Sequence, residues 1–191
     1  MNNKIAVMAS GKGSNLQVIL DAIVCGDCAA HVEVVICNKA DAGALHIAKD
    51  AGVPQVLFIN PKDYEDREAY DIACAEIIQS AGCVLIVLAG YMRILSKAFI
   101  QAFPDQIINI HPSLLPAFKG ADAVGEALKA GVKVSGCTVH YVTLELDSGE
   151  VLEQASVPIL AGDTWHSLHQ RIQEKEHSIY PSVIHRLITK V

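Results

Sequence analysis

Short, continuously apolar runs alternate along this chain with longer stretches in which apolar residues recur every third or fourth position. The runs at 5–9 (IAVMA), 32–37 (VEVVIC), 55–59, 83–88 and 106–110 read as strands. Their unbroken apolarity is what a strand needs when both sheet faces are covered. Helical spacing occupies 15–25, 41–51, 66–81, 96–102 and 122–130; Gly52 and Val53-Pro54 close the second of these and Gly82 the third. The alternation predicts an α/β fold, doubly wound around a mostly parallel, Rossmann-like sheet. After Gly131 the pattern changes. Segments 134–142 and 151–157 read as strands, with a turn at Asp147-Ser148-Gly149, and predict a C-terminal β extension with antiparallel members. Asp163-Thr164 then opens a long C-terminal helix carrying Trp165, Leu168, Ile172, Ile179 and Val183 on one stripe. Pro181 should kink or restart it.

A chain of 191 residues suits one domain over 1–191, long enough to bury a core without staples. Hydrophobic residues at 51% and charged residues at 19% exclude disorder. The net charge of −6 argues against nucleic acid or an anionic membrane as partner. Lys4 is followed only by Ile5 to Ala9 before Ser10-Gly11, short of the roughly 7 apolar residues of a secretory core. The longest apolar run, Cys83 to Gly90, falls far below the roughly 18 residues of a membrane helix. Six cysteines lie in or beside apolar runs and do not space like a disulfide framework, so a cytoplasmic protein with reduced thiols is expected. Cys25-Gly26-Asp27-Cys28 lacks the second pair of ligands that structural zinc requires. It also falls near a helix C-terminus, where the dipole disfavours a thiolate, so no metal is expected. His166 and His169 share a helix face without a third ligand and read as a surface or half-buried pair.

Two segments carry candidate chemistry. Ser10-Gly11-Lys12-Gly13-Ser14-Asn15 joins the first strand to the first helix. Glycines there let backbone N–H groups approach an anion, and the helix N-terminus adds positive potential. Ser14 or Asn15 could cap that helix. Leu16 stands where a dinucleotide fingerprint has its third glycine, and the Gly–Lys spacing is not that of a nucleoside-triphosphate loop. A tight turn with a cap would explain the same residues; a monophosphate site is the preferred reading. The second segment is Asn109-Ile110-His111-Pro112, at the carboxyl end of a buried strand, where open α/β sheets bind ligands. Period two puts Asn109 and His111 on one face, where amide and imidazole offer two donors to a developing oxyanion. A carboxylate beside the imidazole would hold it charged. Asp147 is a candidate that spacing alone leaves open, and His140 fits a place near the site and an ordinary hydrogen-bonded strand position equally well.

In order along the chain, SGKGSN (10–15), DREAYD (66–71), LAGYMRILS (88–96), NIHPSLLP (109–116), LDSG (146–149) and QEKEHSIYP (173–181) resemble the folate-dependent phosphoribosylglycinamide formyltransferase family over nearly the whole length. The resemblance implies formyl transfer from 10-formyltetrahydrofolate to the glycyl amine of glycinamide ribonucleotide in purine biosynthesis, by a monomer or homodimer acting on small molecules. It implies that Asn109, His111 and Asp147 are catalytic. Gly13, Ser14 and Asn15 would then hold the substrate phosphate and Glu176 the ribose hydroxyls. Arg67 and the segment Met92-Arg93-Ile94-Leu95, together with Asn109, would serve the folate. Without the resemblance, Glu176 reads as a solvated helix charge, and Ile94 and Leu95 read as core. The chain departs from the family pattern at Glu150, where a proline usually follows the glycine, and at Phe118-Lys119-Gly120-Ala121-Asp122, which differs from the usual loop. Both touch the rim of the expected site.

Rival readings are a formyltetrahydrofolate deformylase, which normally carries a further N-terminal domain, and a methionyl-tRNA formyltransferase, which adds a tRNA-binding domain. A non-catalytic nucleotide-sensing module is the alternative from outside the enzymes, and it leaves the expected trio unexplained.

Overall fold

The computed structural model describes residues 2–190. Seven strands, β1 (Lys4–Ala9), β2 (His31–Cys37), β3 (Gln55–Phe58), β4 (Leu85–Leu88), β5 (Ile107–His111), β6 (Val134–Tyr141) and β7 (Val151–Pro158), form one sheet in the order β3-β2-β1-β4-β5-β6-β7. The first five pair in parallel; β6 runs antiparallel to β5, and β7 antiparallel to β6. The expected doubly wound fold with a β extension is therefore observed. The chain winds outward from β1 to β3 and then returns to place β4 on the other side of β1. The crevice at that reversal, outside the strand carboxyl ends, is where such sheets bind ligands.

Helices α1 (Ser14–Cys25), α2 (Gly43–Asp50) and α6 (Trp165–Thr189) cover one face. The other carries α3 (Arg67–Ser80) and α4 (Lys97–Ala102). The eight-residue α5 (Ala123–Ala130) leads into β6. Along β1, Ile5, Val7 and Ala9 pack into the first layer while Ala6 and Met8 pack into the second. This two-sided burial explains the unbroken apolar run.

Some boundaries differ from the sequence pattern. β4 starts at Leu85, because Gly82 (φ 69°) makes the turn out of α3. β5 extends to His111, and Pro61–Asp63 forms a short 3₁₀ turn that the pattern did not indicate. α6 neither breaks nor restarts at Pro181 but runs through it as one helix of 25 residues. Tertiary packing overrides the local penalty here. Tyr180 and Pro181 are both buried, and the Tyr180 hydroxyl reaches the carbonyls of Leu88 (2.9 Å) and Ile108 (3.3 Å). Leu168, Ile172, Ile179 and Val183 form the expected stripe, but Trp165 remains 44% exposed. It lies in the first turn of α6, and its ring stacks on His169 instead.

Candidate active site

β1 delivers the glycine loop to the crevice. Gly13 occupies the N-cap position of α1 at φ 83°, and a Cβ there would lie 2.7 Å from the Ala44 Cα. Conformation and close approach both demand glycine. Neither Ser14 nor Asn15 caps the helix, contrary to expectation. Ser14 is already helical, and both side chains turn toward α6. Gln173 Nε2 donates to Ser14 Oγ (2.8 Å), and Asn15 Nδ2 donates to Glu176 Oε2 (3.0 Å). The first N–H groups of α1 thus keep no side-chain acceptor, the arrangement that suits an anionic ligand. Glu176 is no solvated charge: it is 7% exposed, and burial raises its pKa against the opposing Asn15 hydrogen bond.

Ser10, which the motif reading passed over as a separate contributor, ties three loops together. Its Oγ donates to Asn38 Oδ1 (2.6 Å) and accepts from Met92 N (2.8 Å), while its own N–H donates to Gly90 O (3.1 Å). The loops after β1, β2 and β4 are fixed against each other by one buried hydroxyl. Its position directly after β1 is the only sequence signal that could have found it.

Asn109 and His111 share a face of β5, and the β5–β6 register sets His140 opposite Asn109. His140 Nδ1 lies 2.9 Å from the Tyr141 carbonyl, which can only accept, so Nδ1 carries the proton. Nε2 is then free to accept from Asn109 Nδ2 at 3.3 Å. Burial lowers the His140 pKa and keeps the ring neutral, which preserves this polarity. Asp147 stands in the β6–β7 loop at φ 49°. Its Oδ2 lies 3.5 Å from His111 Nδ1 and accepts from Gly120 N at 2.9 Å; its Oδ1 lies 3.7 Å from His140 Nε2. His111 donates through Nε2 to the Phe118 carbonyl at 2.8 Å. The expected trio is thus brought together, and His140 joins it.

These four polar side chains belong to the wall of a cavity of about 310 Å³. Apolar side chains from 92–95 and 142–146 supply much of the rest. Met92 (73% exposed), Ile94 (61%), Leu144 (61%) and Leu146 (51%) all stand open to it, so Ile94 is not a core residue; only Leu95 is buried. Four exposed large apolar groups around one opening mark a binding surface. Arg93 lies over the Tyr70 ring, 4.6 Å from its centroid. Beneath this segment the fully buried Asp71 accepts from Ser96 N (2.5 Å), and burial raises its pKa. Arg67 is exposed in the first turn of α3 and is not part of the cavity wall. Gly13, Ser14, Asn15 and Glu176 form a separate group, joined to the cavity through Ser10. Among the described residues no cluster of three or more side chains could hold a metal, and no helix is long and apolar enough to cross a membrane. All six cysteines are free.

The model of the formyl transferase family matches residues 3–184. A phosphoribosylglycinamide formyltransferase of Haemophilus influenzae is 46% identical over 181 residues, covering 95% of this chain and 85% of that protein. The crystal structure of glycinamide ribonucleotide transformylase 1 from Symbiobacterium toebii superposes with a TM-score of 0.96 at 48% identity, over 99% of this chain and 89% of that one. The trifunctional purine biosynthetic protein adenosine-3 of Bos taurus is 43% identical over 181 residues, which span 95% of this chain and 18% of that longer protein.

Proposed function

Because the chain belongs to the formyl transferase family, and within it to the phosphoribosylglycinamide formyltransferases, we propose that it transfers the formyl group of 10-formyltetrahydrofolate to the glycyl amine of glycinamide ribonucleotide. The products are formylglycinamide ribonucleotide and tetrahydrofolate, a step of purine biosynthesis. The observation that carries this reading is the meeting of the Asn109 amide, the His111 imidazole and the Asp147 carboxylate in the wall of an open, apolar cavity.

The chemistry follows from these groups. A glycyl amine titrates near the α-amino reference of about 7.7–8.0, so a useful fraction is free near neutrality and no strong base is needed. The amine lone pair forms a bond to the formyl carbon, and the carbonyl electrons move onto oxygen. Asn109 Nδ2–H and His111 Nε2–H are the donors for that oxyanion, each worth about 3–4 kcal/mol when preorganised. Phe118 O now accepts from His111 Nε2, the hydrogen bond that the substrate oxygen takes over. Asp147 faces His111 Nδ1 and orients the ring. A proton then passes from the new ammonium to the folate nitrogen, the carbon–nitrogen bond to the folate breaks, and the carbonyl re-forms.

The glycine loop, with Gly13, Ser14 and Asn15, offers N–H groups to the substrate phosphate, and Glu176 offers a carboxylate to the ribose hydroxyls. Met92, Ile94, Leu95, Leu144 and Leu146 suit the flat pterin, while Arg93 and the more distant Arg67 supply positive charge for the acidic end of the folate. We place this activity in the cytoplasm, in keeping with the free thiols.

The test is release of tetrahydrofolate from 10-formyltetrahydrofolate with and without glycinamide ribonucleotide. Release that requires the ribonucleotide is the expected result. Release into water alone would make the protein a deformylase, and no release would refute the assignment.

A further inference from the structure

The start of α6 carries two side chains, Trp165 and His169, that this chemistry leaves unused. His169, Gln173 and Glu176 fall at i, i+4 and i+7, so they share one helix face. The last two are fixed to the glycine loop through Ser14 and Asn15. His169 therefore stands one turn, about 6 Å, nearer the helix start on the side that faces the loop. Its ring is preorganised. Trp165 stacks on it with centroids 4.5 Å apart and planes within 11°. The indole is held in turn by its Nε1–H, which donates to Asp122 Oδ1 (3.1 Å), and Asp122 also caps α5 through Gly125 N. Burial, then His166 on its own helix, then Lys12 from the glycine loop, all lower its pKa. Lys12 of the glycine loop is thus a positive group that acts on His169. Asp122, which meets the stack through Trp165, is engaged by the indole N–H and by Gly125 N.

We propose that His169 is a specificity residue for the substrate's phosphomonoester, closing with Lys12 on the anion held by the N–H groups of residues 13–15, and that Trp165 is its positioning residue. The proposal rests on the reading of that loop as a phosphate site. A dianion beside His169 favours its protonation, so the contact strengthens as pH falls. Lys12 and His166 oppose the charged ring until the anion arrives.

The experiment pairs steady-state kinetics with calorimetric binding of ribose 5-phosphate, on wild type, His169→Ala and His169→Lys. For His169→Ala the KM for glycinamide ribonucleotide and the Kd for ribose 5-phosphate should rise about tenfold, as for loss of one hydrogen bond to a charged group. The KM for formyl folate and kcat should stay near wild type, and the loss should be larger at about pH 6.5 than at pH 8. His169→Lys should restore both affinities at pH 8, a rescue that a purely structural histidine would not permit. Unchanged ribose 5-phosphate binding in His169→Ala, an equal rise in both KM values, or absence of rescue would overturn the proposal. If wild type binds ribose 5-phosphate and loses it in His169→Ala but formylates nothing, the phosphate contact stands and the assigned reaction fails. If the ribonucleotide is formylated and His169→Ala binds normally, the reverse holds.

Discussion

Thr138→Val is the sharpest probe of how the scaffold holds the site. Thr138 is fully buried on β6, opposite His111 in the β5–β6 register. Its Oγ1 donates to Ser113 O (2.6 Å) and accepts from Leu115 N (3.0 Å) and from Gln154 Nε2 (2.8 Å). Valine keeps the shape and removes all three. Gln154 retains Leu115 O at 2.9 Å, but the Leu115 N–H and the Ser113 carbonyl lose their partner in a buried setting. At about 1–3 kcal/mol for each orphaned group, the loss sums to about 2–6 kcal/mol. For a chain of this size that lowers Tm by roughly 5–20 °C. The loop that Thr138 holds continues to Phe118 and Gly120, which bond His111 and Asp147, so kcat should fall with stability. Thr138→Ser, which keeps the oxygen, should remain within about 1 kcal/mol of wild type. Calorimetric melts and formyl-transfer rates on the two variants decide it. A valine variant melting within about 1 °C of wild type would refute the argument that this hydroxyl holds the loop.

Gly13→Ala places a Cβ at φ 83° and 2.7 Å from the Ala44 Cα. Ribose 5-phosphate binding by calorimetry should be lost, and stability should fall by about 1–3 kcal/mol in denaturant melts. Burial raises the Glu176 pKa, so the folded chain favours the protonated acid; its stability contribution is complete below the unfolded pKa and is lost as pH rises through the folded one. Glu176→Gln keeps an acceptor for Asn15 and should therefore melt higher than wild type at pH 8, with the gap closing near about pH 4, while its KM for the ribonucleotide rises. A gap that does not change with pH would exclude the buried charge as its cause. Cys25 is exposed whereas the other cysteines are buried, with Cys37 and Cys74 pushed up to about 11 and Cys137 to about 12 by burial. A thiol reagent should label one group per native chain and all six after unfolding; labelling of more in the native protein would contradict the burial.

Much of this protein is written locally. Apolar runs that stay apolar at every position specify strands covered on both faces, and the residues of β1 do divide between two layers. Period two places Asn109 beside His111 in any extended conformation of that segment. The glycines at 11 and 13 announce a strand-to-helix turn whose amides are open. These features depend on neighbours a few residues away, so periodicity and glycine conformation are enough to determine them.

What lay beyond the sequence depends on partners far along the chain. His140 joins Asn109 only because β6 pairs with β5 in one particular register, and a shift by one residue would turn it to the other face. Asp147 reaches His111 through a left-handed turn that places its carboxylate back over β5. Glu176 looked like a surface charge until α6 packed on α1 and gave it Asn15, and Ile94 looked like core until its loop left it standing at the cavity mouth. Pro181 reads as a kink or a restart, yet burial of Tyr180 and its hydrogen bonds to β4 and β5 carry one continuous helix through it. Local geometry sets which side of a strand or helix a residue occupies. Only the register and packing of elements distant in sequence set what that side meets, and burial then decides whether a carboxylate or an imidazole carries charge there.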